Sequence, residues 1–169
     1  LYSSAASDVY KRQPDHAAVP LPAHVSAALH SRGVSAPGNA ARRAVVAAFD
    51  PVVHTREGAV EAVEAAAGRG PVGVLSNCSV PELAARVLIR SDVDRTLLDA
   101  TVTSVACGWR KPHERAFRTV ADRLGVPVNE STHVGDDPHT DGGIEAAGGR
   151  FVDVAETSLV DLPEWLAGD

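Results

Sequence analysis

From Asp15 to Phe49 the apolar residues fall at helical spacing, with Val25 and Leu29 in one stretch and Val45, Val46 and Phe49 in another. The spacing predicts two short amphipathic helices, interrupted by Pro20, Pro22, Gly33, Pro37 and Gly38. Asp50-Pro51 closes this part, because the residue before a proline is pushed out of the helical region. A third helix is expected from about Arg56 to Ala67, ended by Gly68 and Gly70. Beyond it the pattern becomes a regular alternation. Pro71 to Leu75 reads as a short buried strand ending at Ser76, and Val80 to about Ile89 as a helix. The β-branched run Thr101 to Val105 predicts a strand, and Pro112 to Leu124 a helix with proline in its first turn. Thr132 to Val134 is a strand leading into Gly135, Asp141 to Ala147 a helix, and Arg150 to Val154 a last strand. Short strands alternating with helices imply right-handed βαβ units, hence an α/β fold with a doubly wound parallel sheet covered on both faces. Ligands of such sheets bind at the carboxyl ends of the strands. Ser76 and Asp136 fall there, and Lys111 lies just beyond another strand.

Composition narrows the partners. The apolar fraction of 44% over 169 residues, carried by Ala, Val and Leu, is enough for one real core. A formal net charge of −6 argues against sequence-independent nucleic-acid binding, which needs a basic face. No apolar run approaches the roughly 20 residues of a membrane span, so no membrane partner is expected. Cys78 and Cys107 are too few for a disulfide framework and lack metal-ligand spacing, which makes a reduced, cytoplasmic setting the default.

One cation stands apart. Beyond Gln13 the chain carries Arg at thirteen positions and Lys only at Lys111, within Gly108-Trp109-Arg110-Lys111-Pro112. A compact ammonium kept in so Arg-biased a sequence suits a site wanting a point charge rather than a guanidinium fork; a solvated surface lysine is the plainer reading. Ser76-Asn77, at a strand end, can bind a phosphoryl oxygen through a hydroxyl and a backbone N–H, or can cap the next helix. Asp136, Asp137 and Asp141 crowd three carboxylates into six residues, which suits a hard, oxygen-ligated Mg²⁺, or a turn in which Asp141 caps a helix. His113, His133 and His139 are expected at the surface or supporting these groups, since Mg²⁺ does not ask for imidazole.

These segments carry a family resemblance. Leu75-Ser76-Asn77, then Gly108 to Pro112, then Val134-Gly135-Asp136-Asp137-Pro138-His139-Thr140-Asp141 resemble motifs II, III and IV of the haloacid dehalogenase (HAD) superfamily of hydrolases. Leu98-Asp99 and Ser104 resemble the stretch before the motif III lysine, and Gly142 to Gly149 the helix and turn after motif IV. The resemblance covers about residues 50–155. It implies a Rossmann-like core and a small phosphorylated substrate. By it, Ser76 and Asn77 would bind the transferring phosphoryl group, and Lys111 would neutralise nucleophile and phosphate. Asp136 would ligate Mg²⁺, and Asp141 would assist the metal or its water shell, with Asp137 a lesser candidate. The acidic Gly-Asp-x-x-x-x-Asp form resembles that of the phosphatases. The dehalogenase branch is an alternative, resembling a Ser/Asn-containing fourth motif that needs no metal. A non-catalytic phospho-receiver domain is a further one, disfavoured because its acidic pair would sit on the first strand.

The family's motif I, Asp-x-Asp-x-Thr/Val, should precede Ser76 and supply the nucleophile and the general acid/base. Nothing before Ser76 fits it: Asp50-Pro51-Val52 lacks the second Asp, and Asp8-Val9-Tyr10 lacks a preceding apolar strand. Asp92-Val93-Asp94-Arg95-Thr96 spells a passable version but follows motif II, and is expected to be solvated loop. The chain has no Met, and Leu1 to Gln13 differs in texture from the rest, resembling the tails met when assembled environmental DNA is translated. The organisation expected is therefore a non-native tail over 1–13, the remnant of a helical cap over 14–50, and a HAD-like core over 51–169. The parent protein would be a hydrolase of phosphoric monoesters, and this chain a truncated, inactive and poorly folded piece of it.

Overall fold

A computed structural model describes residues 15–168; the expected tail lies outside the described residues. Two helices come first, α1 (Leu21–Ser31) and α2 (Ala40–Ala48), packed on each other. Pro22 sits in the first turn of α1, where its missing N–H costs nothing, and α2 stops at Phe49, just before Asp50-Pro51. α3 (Ala59–Ala67) ends at Gly68 and leads into β1 (Gly73–Ser76). Then come α4 (Leu83–Arg90), β2 (Ala100–Thr103), the short α5 (Ser104–Cys107), α6 (Glu114–Leu124), β3 (Thr132–Gly135), β4 (Arg150–Asp153) and α7 (Leu162–Ala167).

All strand pairing among the described residues is parallel, as the βαβ pattern requires. β1 pairs with β2, with Ser76 opposite Thr103, and β3 pairs with β4, with Gly135 opposite Asp153. The described strands thus form two parallel pairs rather than one continuous sheet, since no described strand bridges β1 and β3. A shared core joins the pairs instead. Leu75 of β1, Val102 of β2, Ala116 and Phe117 of α6, and Ile144 and Ala147 make one buried cluster, with Phe151 of β4 packed against it. On the other face of β3–β4, Val152 is buried with Ala62 of α3 and Leu162 of α7. That second layer gives the β3–β4 pair helices on both faces, the doubly wound arrangement in miniature.

The helical pair is seated on the loop after β1 by Val45, Cys78 and Val80, flanked by Leu21, Val25 and Leu83. Two arginines one turn apart on α4 reinforce the seat. Arg86 donates to the Val46 carbonyl at 3.1 Å, Arg90 donates to the Pro51 carbonyl at 3.0 Å, and Asp50 lies 2.6 Å from Arg90.

Several boundaries differ from expectation for local reasons. The β2 strand stops at Thr103, because buried Ser104 turns to donate its hydroxyl to the Cys78 carbonyl at 3.1 Å and opens α5. Pro112 lies before α6 rather than in its first turn, with His113 at the N-cap accepting from the Arg115 N–H. Residues 141–147 are a 3-10 helix, not an α-helix. Gly142 and Gly143 weaken the α-helical preference, and a side chain at Gly143 would overlap Pro112, so the turn is pinned tightly against the Lys111 loop. α7 was not expected; it is short and carries only six residues. The Asp92–Asp99 stretch is loop with a 3-10 turn at Arg95–Leu97, where Asp94 caps Thr96 and Asp99 accepts from the Val72 N–H at 2.9 Å.

Phe117 is 1% exposed at the junction of both strand pairs. Replacing it by alanine is expected to cost about 3–5 kcal/mol of unfolding free energy, read as a lower urea midpoint. Val52→Ala, at a position 81% exposed, is expected to stay within about 0.5 kcal/mol in the same measurement.

Candidate active site

Three segments meet at the carboxyl ends of the strands: the end of β1, the loop between α5 and α6, and the turn after β3. The first contact is made by an amide. Asn77 accepts from the Lys111 backbone N–H at 2.8 Å through its side-chain oxygen, and donates from its side-chain nitrogen to the Lys111 carbonyl at 3.0 Å. This two-point pairing imitates a strand ladder and fixes the Lys111 backbone beside Ser76. The Asn77 side chain is thereby committed to the protein, leaving the Ser76 hydroxyl as the group at this strand end with no bond to another described residue. Ser76 does not cap a helix, since α4 begins at Leu83.

The Lys111 side chain runs inward to Asp141, with which it forms a hydrogen-bonded ion pair at Oδ1. Asp141 is 4% exposed. Its Oδ1 also receives His133 Nε2 at 2.8 Å, and its Oδ2 accepts from the Asp137 N–H at 3.1 Å. Gly135 makes the approach possible: a Cβ there would overlap the Asp141 carboxyl group. Burial pushes the Asp141 carboxyl up. The hydrogen bonds from His133 and Lys111, the Lys111 charge and the Asp137 N–H outweigh it, holding the group well below the usual carboxylate range.

Asp137 is a turn former. Its carboxylate accepts from the His139 N–H and the Thr140 hydroxyl, each at 3.0 Å, and its carbonyl accepts from the Asp141 N–H at 2.7 Å. Asp136 points the other way. Its side chain is 75% exposed, with Arg56 4.0 Å off, a solvent-screened pairing of little strength.

This geometry bears directly on Mg²⁺. The Asp136 carboxylate has open oxygens and suits a hard cation that keeps most of its waters. Asp141 and Asp137 have theirs taken by ammonium, imidazole and N–H donors, and no group of three metal-ligating side chains gathers among the described residues. Of the three carboxylates, Asp136 is the one whose oxygens stay open to a ligand, while Asp141 serves Lys111.

From the sequence His133 is expected at the surface or supporting these groups, with no partner assigned. The structure gives it one, Asp141. The signal lay in the strand pattern, since His133 and Gly135 share one face of β3 and a polar side chain on a half-buried strand needs a hydrogen-bond partner. His113 is elsewhere, capping α6 and lying against the Trp109 ring with centroids 4.2 Å apart. Trp109 also carries the Arg115 guanidinium over its ring and pairs its backbone with Ala17, so the first described residues are fastened to the Lys111 loop.

Asp141→Asn is expected to destabilise the chain by about 3–5 kcal/mol at neutral pH, because Lys111 would be left charged without its partner. The sign with pH follows from the depressed carboxyl. Its contribution is complete above the unfolded value near 4 and is lost as pH falls toward the folded value. Urea midpoints of the two proteins should therefore converge on acidification below about pH 4.

A family model for haloacid dehalogenase-like hydrolases matches residues 12–148. Comparison with curated proteins finds no match. Among solved structures, the chain is similar to a HAD-superfamily hydrolase of subfamily IA, variant 1, from Geobacter sulfurreducens PCA. The identity is 27% over 58% of this chain and 49% of that one, with a TM-score of 0.49. The chain thus spans about half the length of that protein. With most of its length inside the family model, and Ser76, Lys111 and Asp136 all within the matched residues, the chain belongs to the haloacid dehalogenase-like hydrolases.

Proposed function

We propose that this chain carries the phosphate-binding half of a Mg²⁺-dependent phosphatase acting on a small phosphorylated metabolite. The observation that supports it best is the Asn77 clamp, which ties the Lys111 backbone to the residue after Ser76 at the end of β1, while Asp141 anchors the Lys111 ammonium. In this reading the Ser76 hydroxyl donates to one phosphoryl oxygen. Lys111, held by Asp141, offers its remaining N–H groups to a second oxygen and offsets the charge that gathers as the ester bond breaks. Asp136 is the metal ligand from this chain, and bound Mg²⁺ would supply further neutralisation of the phosphoryl oxygens. No Asp-x-Asp-x-Thr/Val segment precedes Ser76 among the described residues, so this reading assigns the nucleophile to none of them. The α1–α2 pair is the part of a cap that would close over the substrate. Among the described residues no helix is long and apolar enough to cross a membrane; the reading places the protein in the cytoplasm.

The test has two arms. Inorganic phosphate with Mg²⁺ should bind the chain weakly, and Ser76→Ala should weaken that binding about tenfold, the loss of one hydrogen bond to a charged group. The chain should release no phosphate from p-nitrophenyl phosphate. Asp136→Asn should remove the Mg²⁺ dependence of phosphate binding. Phosphate binding indifferent to Mg²⁺ and to Ser76→Ala, or halide release from a 2-haloacid without Mg²⁺, would overturn the proposal.

A further inference from the structure

The position of His133 carries more than packing. Its Nε2 lies 2.8 Å from Asp141 Oδ1 and 3.4 Å from Lys111 Nζ, so imidazole and ammonium converge on one carboxylate oxygen. An ionised carboxylate only accepts, so Nε2 carries the proton and donates it to Oδ1. Lys111 has no acceptor to find on that imidazole nitrogen, and the two donors share the oxygen instead. The ring is held in turn. Phe117, almost wholly enclosed in the core, meets it edge to face with centroids 5.2 Å apart and planes at 79°. The chain of contacts therefore runs from the core through Phe117 to His133, then to Asp141, then to the ammonium.

The alternatives at Asp141 show what this arrangement accomplishes. Its Oδ2 is occupied by the Asp137 N–H, which fixes one end of the carboxylate. Were the second lone pair of Oδ1 free, Lys111 could swing to either side of that oxygen. With His133 occupying that position, Lys111 keeps a single bond to Oδ1, and its other N–H groups are left for a ligand. We propose that His133 is a positioning residue: through Asp141 it sets the direction in which the Lys111 ammonium presents its free N–H groups to a phosphoryl oxygen. The ligand side of this inference rests on the phosphatase reading above; the effect on Lys111 does not.

The sequence offers a clean probe. The only lysines are Lys11 and Lys111, so lysine labelled with ¹⁵N gives two side-chain ammonium signals, of which the Lys111 signal is identified by its loss in Lys111→Met. In the unaltered chain that signal should exchange slowly with water. His133→Phe keeps a flat ring beside Phe117 and removes the donor. It should speed the Lys111 exchange about tenfold and weaken binding of inorganic phosphate by a similar factor, the scale of one charge-assisted hydrogen bond. His133→Gln places an amide N–H near the lost Nε2 and should restore both readouts to within about threefold. A residue needed only for packing would lower the urea midpoint without this split between Phe and Gln. Should His133→Phe fail to fold, His133→Asn, polar but too short to reach Oδ1, takes its place with the same expected losses. Unchanged Lys111 exchange and unchanged phosphate binding in the folded donor-less variant would overturn the proposal. Altered Lys111 exchange in a chain that binds no phosphate would uphold the positioning of Lys111 and overturn the phosphatase reading alone.

Discussion

A carboxylate taken out of water costs several kcal/mol unless donors replace the lost hydration, and at Asp141 the replacement is assembled from three separate stretches of chain. The ammonium comes from the loop after α5, the imidazole from β3, and the backbone N–H from the turn that follows β3. His133 and Asp137 are near Asp141 in sequence, but Lys111 is 30 residues away and reaches it only through the fold. Satisfying that single charge therefore fixes the distance between the β1–β2 pair, to which Lys111 is clamped, and the β3–β4 pair, to which His133 belongs. The apolar cluster around Phe117 spans the same two pairs from below. Core and ion pair enforce one geometry from opposite sides, and the Ser76 hydroxyl acquires its relation to Lys111 from both.

The glycines around this charge are part of the same constraint. Gly135 has no side chain because the Asp141 carboxyl occupies that space, and Gly143 has none because Pro112 does. The pairs interlock: the turn after β3 lies against the residue following Lys111, and the carboxylate on that turn holds Lys111 itself. Mutual exclusion of side chains thus locates the ammonium as firmly as attraction does.

Much of this was legible in the sequence. The βαβ alternation is visible because each strand is a compact β-branched or apolar run between punctuating Gly and Pro residues, and Lys111 stands out because everything around it uses Arg. The ordering of Ser76, Lys111 and Asp136 followed from motif spacing. What the sequence did not disclose depends on long-range contact. Asp136 and Asp141 look equivalent as carboxylates, yet one faces solvent and the other is enclosed, a distinction created by where the 3-10 turn folds. The role of Asn77 was equally hidden, since its partner is a backbone group 34 residues away. His133 could be expected to support the site, but its partner Asp141 is set by how the turn after β3 folds back on the strand. The separation of the strands into two pairs reflects pairing partners, about which a strand's own residues say little.

The Asn77 clamp has one consequence that concerns time rather than geometry. An asparagine amide is among the protein's slowly hydrolysable groups, and its conversion to a carboxylate changes one atom of the pair that holds Lys111. The oxygen facing the Lys111 N–H would survive as an acceptor. The nitrogen that donates to the Lys111 carbonyl would become an anionic oxygen, and two acceptors would then confront each other across the former hydrogen bond. The loop would be pushed from the strand end while the Lys111 side chain stayed tied to Asp141. In an ageing sample, the site would come apart first along its backbone, with the fold otherwise intact.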